Sequence, residues 1–524
     1  MRTVFVLFDT LNRRSLSPYG AQSVHTPNFQ RLAERSVTFD RHYVGSLPCM
    51  PARRDMQTGR LNFLHRGWGP LEPFDNAFPE LLEAAGVYSH LVSDHYHYWE
   101  DGGATYHTRY SSFEFIRGQE ADPWQAMVRP PFERFREMYH RLQYSEAARN
   151  RYRVHMVNRE FIREEADFPA VQCFDQGLAF LERNHAHDDW LLQVETFDPH
   201  EPFFAPKRFR DAYPTGYKGP ILDWPPYARV GELPEECDEL RANYAALLAL
   251  CDEQLGKLLD TFDRLGLWDN TALVVATDHG FLLGEHDWWA KNRMPVYQEV
   301  AHIPLFIHHP QHQASAGQRR QALTQTMDLM PTLLDLHGVA PPAQVQGKSL
   351  LPLLEGETRL RDALLYGHWG AAVNITDGRY TYFRYAPEGA PKELYQYTLV
   401  PMHMATRFSP EELAGASLCA PFRFTKGAPL LKVPGIEKSP MRMLMPGYFA
   451  DTETVLFDLL ADPGQLHPLH DPAQEARLSA LMEELMDESE APPELFARLG
   501  LVAPSGAVER GRPHVPTPAK PVQT

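Results

Sequence analysis

Short apolar runs alternate with helical patterns over the first 340 residues or so, and this alternation constrains the fold more than any other feature. The helical patterns at 79–85 and 243–265 are long enough to connect neighbouring parallel strands, and Gly266 is placed to end the second. Such alternation predicts an α/β fold with a mostly parallel central sheet flanked by helices. The predicted strands cover residues 4–8, 87–92, 190–194, 273–276 and 303–307.

The pattern changes after about residue 360. Two strand-like runs, at 373–376 and 380–383, flank the dipeptide Asp377-Gly378, which is a strong hairpin signal. A further strand at 454–459 and a helix near 474–486 complete this part of the chain. We therefore predict a smaller C-terminal subdomain built on an antiparallel sheet.

These patterns divide the chain into three parts. We expect a catalytic α/β domain over 1–360, the antiparallel α+β subdomain over 361–488 and an extended arm over 489–524. The arm is rich in Pro, Ala and Val, so we expect it to become ordered only against a partner. This expectation favours a homo-oligomer.

The composition limits the partners and the compartment. A formal charge of −17 argues against nucleic acid or an anionic membrane as the main partner. The sequence shows no segment long enough to span a bilayer and no signal-like leader, which favours a cytoplasmic protein. The odd number of cysteines and the lack of a CxxC pair argue against disulfides and against a cysteine zinc site. The five cysteines are at positions 49, 173, 237, 251 and 419.

Polar residues follow three of the predicted strands directly. Asp9 and Thr10 follow the first strand, Asp278 and His279 follow the fourth, and His200 lies shortly after the third. The carboxyl ends of parallel strands meet at one edge of a sheet, where ligands bind. Carboxylates brought together there would repel each other without a cation, so a divalent metal is indicated. The alternative is that each residue only caps the next turn or helix.

A second motif surrounds Cys49. This cysteine lies just before Pro51 at a predicted helix start, with Arg53 nearby, an arrangement that favours an anion. A thiolate, a bound phosphate or a bound sulfate would all fit it. The alternative is a small buried hydrophobic residue, which is our interpretation of the other four cysteines.

The pattern Cys49-x-Pro51-x-Arg53 resembles the signature of the sulfatase family within the alkaline phosphatase superfamily. In that family the cysteine is oxidised after translation to formylglycine. The resemblance implies an alkaline-phosphatase-like fold and a formylglycine-generating enzyme as a partner during maturation. Further segments that resemble the family, in the same order, are residues 9–13, 26–28, 32–33, 277–291 and 301–305.

The resemblance also implies a metal site. Asp9, Asp278 and His279 would bind one divalent ion together with modified residue 49, and Thr10 is a further candidate ligand. Many relatives have an acidic residue in place of Thr10 and an asparagine in place of His279. These departures leave the metal open between calcium, the family default, and manganese, which tolerates a nitrogen ligand better.

Catalytic roles follow from the same resemblance. The hydrated aldehyde at position 49 would attack sulfur or phosphorus, while Arg53 and Lys291 hold the non-bridging oxygens. His200 would protonate the leaving oxygen. For Lys291 the alternative is a solvated surface residue, and for His200 a structural one.

Two further histidines are candidates for substrate binding. Many sulfatases have a lysine near residues 93–100, and this chain has none there, so we expect His95 and His97 to replace it. If this segment is extended, the two side chains share one face. The alternative is an ordinary polar loop.

Three functions remain open at this point. The first is hydrolysis of small organic sulfate monoesters, as in arylsulfatases. The second is hydrolysis of phosphonate monoesters or phosphodiesters with the same nucleophile, which is favoured by the missing lysine and by the pair Asp278-His279. The third, a non-catalytic binding protein on the same fold, is disfavoured by the intact spacing of the motifs.

Overall fold

The computed structural model describes residues 1–293, 295–391, 393–435, 451–507, 510 and 512–513. Within these residues the largest sheet has eight strands. In spatial order the strands are Arg319–Arg320, Val37–Phe39, Leu305–His308, Thr271–Thr277, Arg2–Phe8, Trp190–Thr196, Tyr88–Ser93 and Ser112–Phe115.

This sheet is mostly parallel, as predicted. Strand Arg2–Phe8 lies at its centre and pairs in parallel with both neighbours. The exception is Leu305–His308, which is antiparallel to Thr271–Thr277. The predicted strand at 303–307 is divided at Pro304, because proline has no N–H to donate to a ladder.

Helices cover both faces of the sheet. In the central strand Val4, Val6 and Phe8 belong to one buried core, and Phe5 and Leu7 belong to another on the opposite face. Successive side chains of a strand point to opposite faces, so a strand buried on both faces reads as a continuous apolar run.

The longest helix is Pro234–Leu265, and Gly266 ends it with a φ of 62°, as the sequence predicted. The helix begins earlier than the predicted 243, with a proline in its first turn. The other α-helices up to residue 360 are Pro27–Arg35, Cys49–Thr58, Phe78–Ala84, Ala104–His107, Phe132–Met138, Arg151–Arg159, Pro169–Asn184, Lys207–Asp211, Gln298–Ala301, Leu329–Leu336 and Leu351–Glu355.

The C-terminal part contains the predicted antiparallel sheet. The hairpin is confirmed, with strands Val373–Thr376 and Tyr380–Arg384 paired across the turn. Strands Leu364–His368 and Val455–Asp458 flank it. Ser46–Leu47 joins the edge in parallel, so this sheet also takes a strand from the first part of the chain. The division at residue 360 remains a prediction.

Smaller elements complete the described structure. A sheet not predicted from the sequence contains Tyr395–Thr398, Leu430–Pro434 and Ser417–Cys419. The predicted terminal helix is Pro472–Glu488, and a short helix covers Pro410–Leu413. The remaining strands are His42–Tyr43, Leu282–Leu283, Trp289–Ala290, His302–Ile303 and Thr324–Gln325.

Residues 489–507 differ from our expectation of an arm that requires a partner, while residues 514–524 of the predicted arm lie outside the described residues. Helix Pro493–Leu499 packs on this chain's own core, where Leu495, Phe496 and Leu499 are buried with Ala507. Its apolar side chains pack against the sheet that contains the hairpin and against helix Pro472–Glu488. Packing within the chain removes the reason for expecting a partner at the helix itself, and the homo-oligomer remains a prediction.

Within the described residues, no helix combines the length and the apolar character needed to cross a membrane. All five cysteines are buried and free.

Candidate active site

The pairing of three central strands brings the predicted site residues together. Phe8, the last residue of Arg2–Phe8, lies beside the last residues of Trp190–Thr196 and Thr271–Thr277. Arg2–Phe8 and Thr271–Thr277 are each followed directly by an aspartate, and therefore Asp9 and Asp278 meet at one edge of the sheet. The backbone N–H of residue 10 also donates to Asp278, at 3.1 Å.

Four side chains form a buried cluster at this edge. Asp9, Cys49, Asp278 and His279 each offer one potential ligand atom, and these atoms lie within 4.8 Å of one another. Cys49 is the first residue of helix Cys49–Thr58, which places it at the positive end of the helix dipole, as predicted. All four residues are almost fully buried.

His279 presents a lone pair to the cluster. Its Nδ1 lies 3.0 Å from the carbonyl oxygen of Gly280, which can only accept a hydrogen bond, so Nδ1 carries the hydrogen. Nε2 faces the Sγ of Cys49 at 3.2 Å. Burial, helped by Lys291, lowers the pKa of His279 to about 3, which keeps the imidazole neutral. A neutral imidazole held in this way is a ready metal ligand.

Thr10 and Lys291 form a chain of hydrogen bonds to Asp9. The Lys291 ammonium donates to the Thr10 hydroxyl at 2.9 Å, and that hydroxyl donates to Asp9 at 2.6 Å. Lys291 is buried, which excludes the alternative of a solvated surface residue. Burial lowers the pKa of Lys291, but Cys49, Glu201 and Asp9 outweigh this effect and raise it overall. The Thr10 hydroxyl therefore links Lys291 to the cluster.

Arg53 faces carboxylates and does not line the cavity described below. Its Nε and Nη1 donate to Glu195 and Asp278, each at 2.6 Å, and its Nη2 lies 3.0 Å from Asp9. The side chain is 1% exposed. This geometry differs from the expected contact with substrate oxygens, because Nε and Nη1 donate to protein carboxylates and Nη2 faces Asp9 in an ion pair. Glu195 was not predicted, and its only sequence signal is a charged residue inside an apolar strand.

The cluster fits a divalent cation. Asp9 Oδ2 is buried and makes no hydrogen bond, although it lies 3.0 Å from Nη2 of Arg53. Burial and the negative charge of Asp9 raise the pKa of Asp278 to about 7, so this pair of carboxylates needs more positive charge than Arg53 and Lys291 supply. Two carboxylates and one imidazole nitrogen suit calcium, magnesium or manganese. Asp9, Asp278, His279 and residue 49 would hold the ion.

A cavity of about 290 Å³ opens beside the cluster. Cys49, His200 and Lys291 line it, which brings three of the four predicted catalytic residues to one space. The cavity also has walls that the sequence did not predict. These include Tyr96, Glu100, Glu120, Arg151, Tyr227 and the segment 403–406.

The two histidines near residue 95 do not share an extended face. His95 caps the short 3-10 helix Tyr96–Trp99, and its Nε2 lies 3.3 Å from the sulfur of Met50. His97 lines the cavity, and its Nδ1 lies 2.7 Å from a carboxylate oxygen of Glu100. His97 is therefore part of the cavity wall, whereas His95 is fully buried and is not.

Comparison with known proteins identifies the family. The sequence model of the Sulfatase family matches residues 2–339, and a model described as N-sulphoglucosamine sulphohydrolase, C-terminal, matches residues 284–417. An N-acetylglucosamine-6-O-sulfatase of Bacteroides thetaiotaomicron is 26% identical over 454 residues, which is 75% of this chain and 76% of the relative. A choline-sulfatase of Rhizobium meliloti is also 26% identical, over 76% of this chain and 81% of the relative.

Solved structures agree on the fold. The phosphonate monoester hydrolase of Agrobacterium radiobacter has a TM-score of 0.61 at 18% identity, and the match covers 93% of this chain and 95% of that one. BT4656, solved in complex with its substrate D-glucosamine-2-N,6-O-disulfate, has a TM-score of 0.63 at 17% identity, covering 93% and 98%. The chain belongs to the sulfatase family of the alkaline phosphatase superfamily and is a sulfuric ester hydrolase.

Proposed function

We propose that the protein hydrolyses small organic sulfate monoesters, in the manner of an arylsulfatase, with residue 49 as formylglycine. The observation that carries this proposal is the position of Cys49, which lies in the carboxylate and histidine cluster and also lines the cavity. A nucleophile there meets a bound ester and a cation at the same time.

The surroundings of Cys49 favour a modified residue over a thiolate. Burial and the negative charge of Asp9 raise the pKa of the thiol well above its usual value, so the unmodified side chain is a poor nucleophile. As formylglycine, its hydrated aldehyde would supply one hydroxyl for attack and a second for release of sulfate. This proposal includes a formylglycine-generating enzyme as the partner in maturation.

We propose calcium or manganese as the cation held by Asp9, Asp278, His279 and residue 49. The ion would withdraw electrons from the sulfuryl group and from the oxygen on residue 49. His279 favours manganese over calcium, because calcium prefers oxygen ligands.

Residues of this chain would divide the remaining work. Lys291 lines the cavity with its charge intact and would hold a non-bridging oxygen of the ester. Arg53 would act on the carboxylates, holding Asp9 and Asp278 in place for the cation. His200 would donate a proton to the leaving oxygen, and His97 would bind the substrate.

The side chains of the cavity wall are suited to bind an aromatic or sugar leaving group. Trp68, Tyr96 and Tyr227 contribute flat apolar surfaces, and Glu100 and Glu120 contribute hydrogen-bond acceptors. Stacking on a flat ring combined with acceptors for hydroxyl groups is suited to either class.

A second candidate is hydrolysis of phosphonate monoesters or phosphodiesters by the same residues. The similarity in fold to phosphonate monoester hydrolases supports it. So does a 26% identical relative from Trinickia caryophylli, the multifunctional alkaline phosphatase superfamily protein PehA. The cavity wall between Tyr96 and Glu100 has His97 in place of a lysine, so the charge around the ester differs from that in many sulfatases.

Two measurements test these proposals. Turnover of 4-nitrophenyl sulfate should exceed that of a phenylphosphonate monoester and of bis-nitrophenyl phosphate under equal metal loading. The reverse order would establish the second candidate. Mass spectrometry of the tryptic peptide that contains residue 49 should show an aldehyde in place of the thiol, and an unmodified thiol in active protein would exclude formylglycine as the nucleophile.

A further inference from the structure

His200 is held in one tautomer. Its Nδ1 lies 2.6 Å from the backbone carbonyl oxygen of Glu201. A carbonyl oxygen can only accept a hydrogen bond, so Nδ1 carries a hydrogen. In a neutral imidazole only one ring nitrogen carries a hydrogen, and Nε2 then has a lone pair. His200 can therefore give a proton from Nε2 only as an imidazolium ion.

An imidazolium at this position needs a negative charge beside it. His200 is only 4% exposed, and a buried cation without a countercharge is costly. Lys291 adds a second positive charge on the same cavity wall. Burial and the charge of Lys291 lower the pKa of His200 most, while the charge of Asp9 and the backbone carbonyl of Glu201 act in the opposite direction without outweighing them.

The carboxylate of Glu201 is placed to supply that charge. Its Oε2 lies 3.3 Å from Nδ1 of His200. This oxygen is buried and has no hydrogen bond within the described residues, while the other carboxylate oxygen accepts from the hydroxyl of Tyr227. One oxygen is thus fixed by Tyr227, and the second faces the imidazole ring.

We propose that Glu201 is a positioning residue that makes His200 a proton donor. It fixes the tautomer through its backbone carbonyl and stabilises the imidazolium through its side chain. The inference rests on the acid role of His200 proposed above. It adds that the carboxylate of Glu201 supplies the negative charge that stabilises the imidazolium.

The proton transfer balances without another reactant. The nucleophilic oxygen on residue 49 would form a bond to sulfur as the bond between sulfur and the leaving oxygen breaks, and the electron pair of the broken bond passes to the leaving oxygen. The oxygen takes the proton from Nε2, so the product is a neutral alcohol or phenol. His200 is left neutral with its hydrogen on Nδ1, and Glu201 remains a carboxylate throughout. His200 lines the cavity, so water there can restore the proton after the product leaves.

Substitution of Glu201 by Gln tests the proposal on a series of sulfate esters whose alcohols differ in acidity. The change keeps the size of the side chain and removes its charge. Turnover of esters with poor leaving groups should fall about ten- to a hundredfold, within the usual range for general acid catalysis. The change for 4-nitrophenyl sulfate should be about threefold or less, since nitrophenolate needs little protonation. Glu201→Asp, which retains the charge, should recover part of the loss.

A double variant separates this role from a structural one. Adding Glu201→Gln to His200→Ala should cause no further loss for poor leaving groups, because no imidazolium remains to be stabilised. A merely structural role for Glu201 would lower turnover again in the double variant and would lower it equally for all leaving groups. Either result would overturn the proposal.

Glu299→Gln is the matched control. Glu299 is also buried, and it lies 3.4 Å from a histidine, His286, but it does not line the cavity. Its loss should leave the dependence on leaving group unchanged. Equal loss for every ester in His200→Ala would refute the acid role itself. A dependence on leaving group in His200→Ala without one in Glu201→Gln would refute only the role of Glu201.

Discussion

The ammonium group of Lys291 and the hydroxyl of Thr10 lie 2.9 Å apart, and the same hydroxyl donates to Asp9. Lys291 lines the cavity, whereas Asp9 belongs to the buried cluster. Thr10 therefore connects the cavity wall to the cluster. Its backbone has a φ of 61°, in the left-handed region, which turns the chain sharply after the central strand.

Lys291→Met should lower kcat/KM by about two to three orders of magnitude, because a charge that faces the sulfuryl oxygens is lost from a buried site. Metal content should stay the same, since Lys291 offers no ligand to the cluster. Lys207→Met is the control, as the side chain of Lys207 is 78% exposed. Activity of Lys291→Met within threefold or so of the parent would contradict the role of Lys291.

Cys49→Ala should fold and keep most of its metal but lose turnover, since the nucleophile is gone. Cys49→Ser should also lose steady turnover, because a single hydroxyl can attack the ester but cannot form the diol that expels sulfate. A burst of one product per site followed by arrest is the expected time course for the serine variant. Sustained turnover by either variant would exclude residue 49 as the precursor of the nucleophile.

Asp278→Ala should lower the metal stoichiometry measured by elemental analysis, and chelation of the parent protein should abolish turnover. Asp269→Ala is the control. Asp269 is exposed and precedes the first residue of strand Thr271–Thr277, whereas Asp278 follows the last. Adding back calcium and manganese separately should show which ion restores the higher rate. Full metal content in Asp278→Ala would contradict the assignment of the cluster.

The sequence predicted the parts of the site that depend on local order along the chain. Asp9 and Asp278 follow continuous apolar runs, and such runs in alternation with helices imply parallel strands whose carboxyl ends meet. Cys49 was identified by its spacing to Pro51 and Arg53. In each case a short segment of sequence identifies the residue. The pairing of parallel strands then brings the separate segments together in space.

The sequence did not predict contacts between distant segments. Glu195 accepts a hydrogen bond from Arg53 because the fold brings strand Trp190–Thr196 and the helix that begins at Cys49 into contact. The segment 403–406 reaches the same cavity from the far part of the chain. His95 and His97 were expected on an extended segment, but the 3-10 turn that follows His95 directs the two rings differently.

Asp94 should make the protein less stable as pH rises. This carboxyl group is buried between the backbone N–H of Phe197 and the side chain of Gln119, and no cationic side chain among the described residues donates to it. Burial raises its pKa to about 7. The folded state then binds a proton that the unfolded state releases near pH 4, so stability is highest at low pH and falls by up to about 1.4 kcal/mol per pH unit until about pH 7.

Asp94→Asn removes this titration while keeping an acceptor for Phe197. Denaturant unfolding at about pH 5 and about pH 8 should show a smaller difference in the variant than in the parent. Asp269→Asn is the control, because it makes the same substitution at an exposed aspartate. An identical pH dependence in Asp94→Asn and in the parent would show that Asp94 is ionised in the folded protein.

Helix Pro493–Leu499 should contribute to the stability of each single chain. Phe496 is fully buried, and its neighbours in the core include Met482 and Met486 of the preceding helix. Phe496→Ala should lower the free energy of unfolding by about 3–5 kcal/mol, because it removes a large buried side chain and leaves a cavity. Leu466→Ala is the control, as Leu466 is 64% exposed.

Chemical denaturation at several protein concentrations separates this effect from assembly, because a contribution within the chain does not depend on concentration. Loss of stability that disappears at high concentration would mean that the helix acts through a second copy, as first expected for residues 489–524.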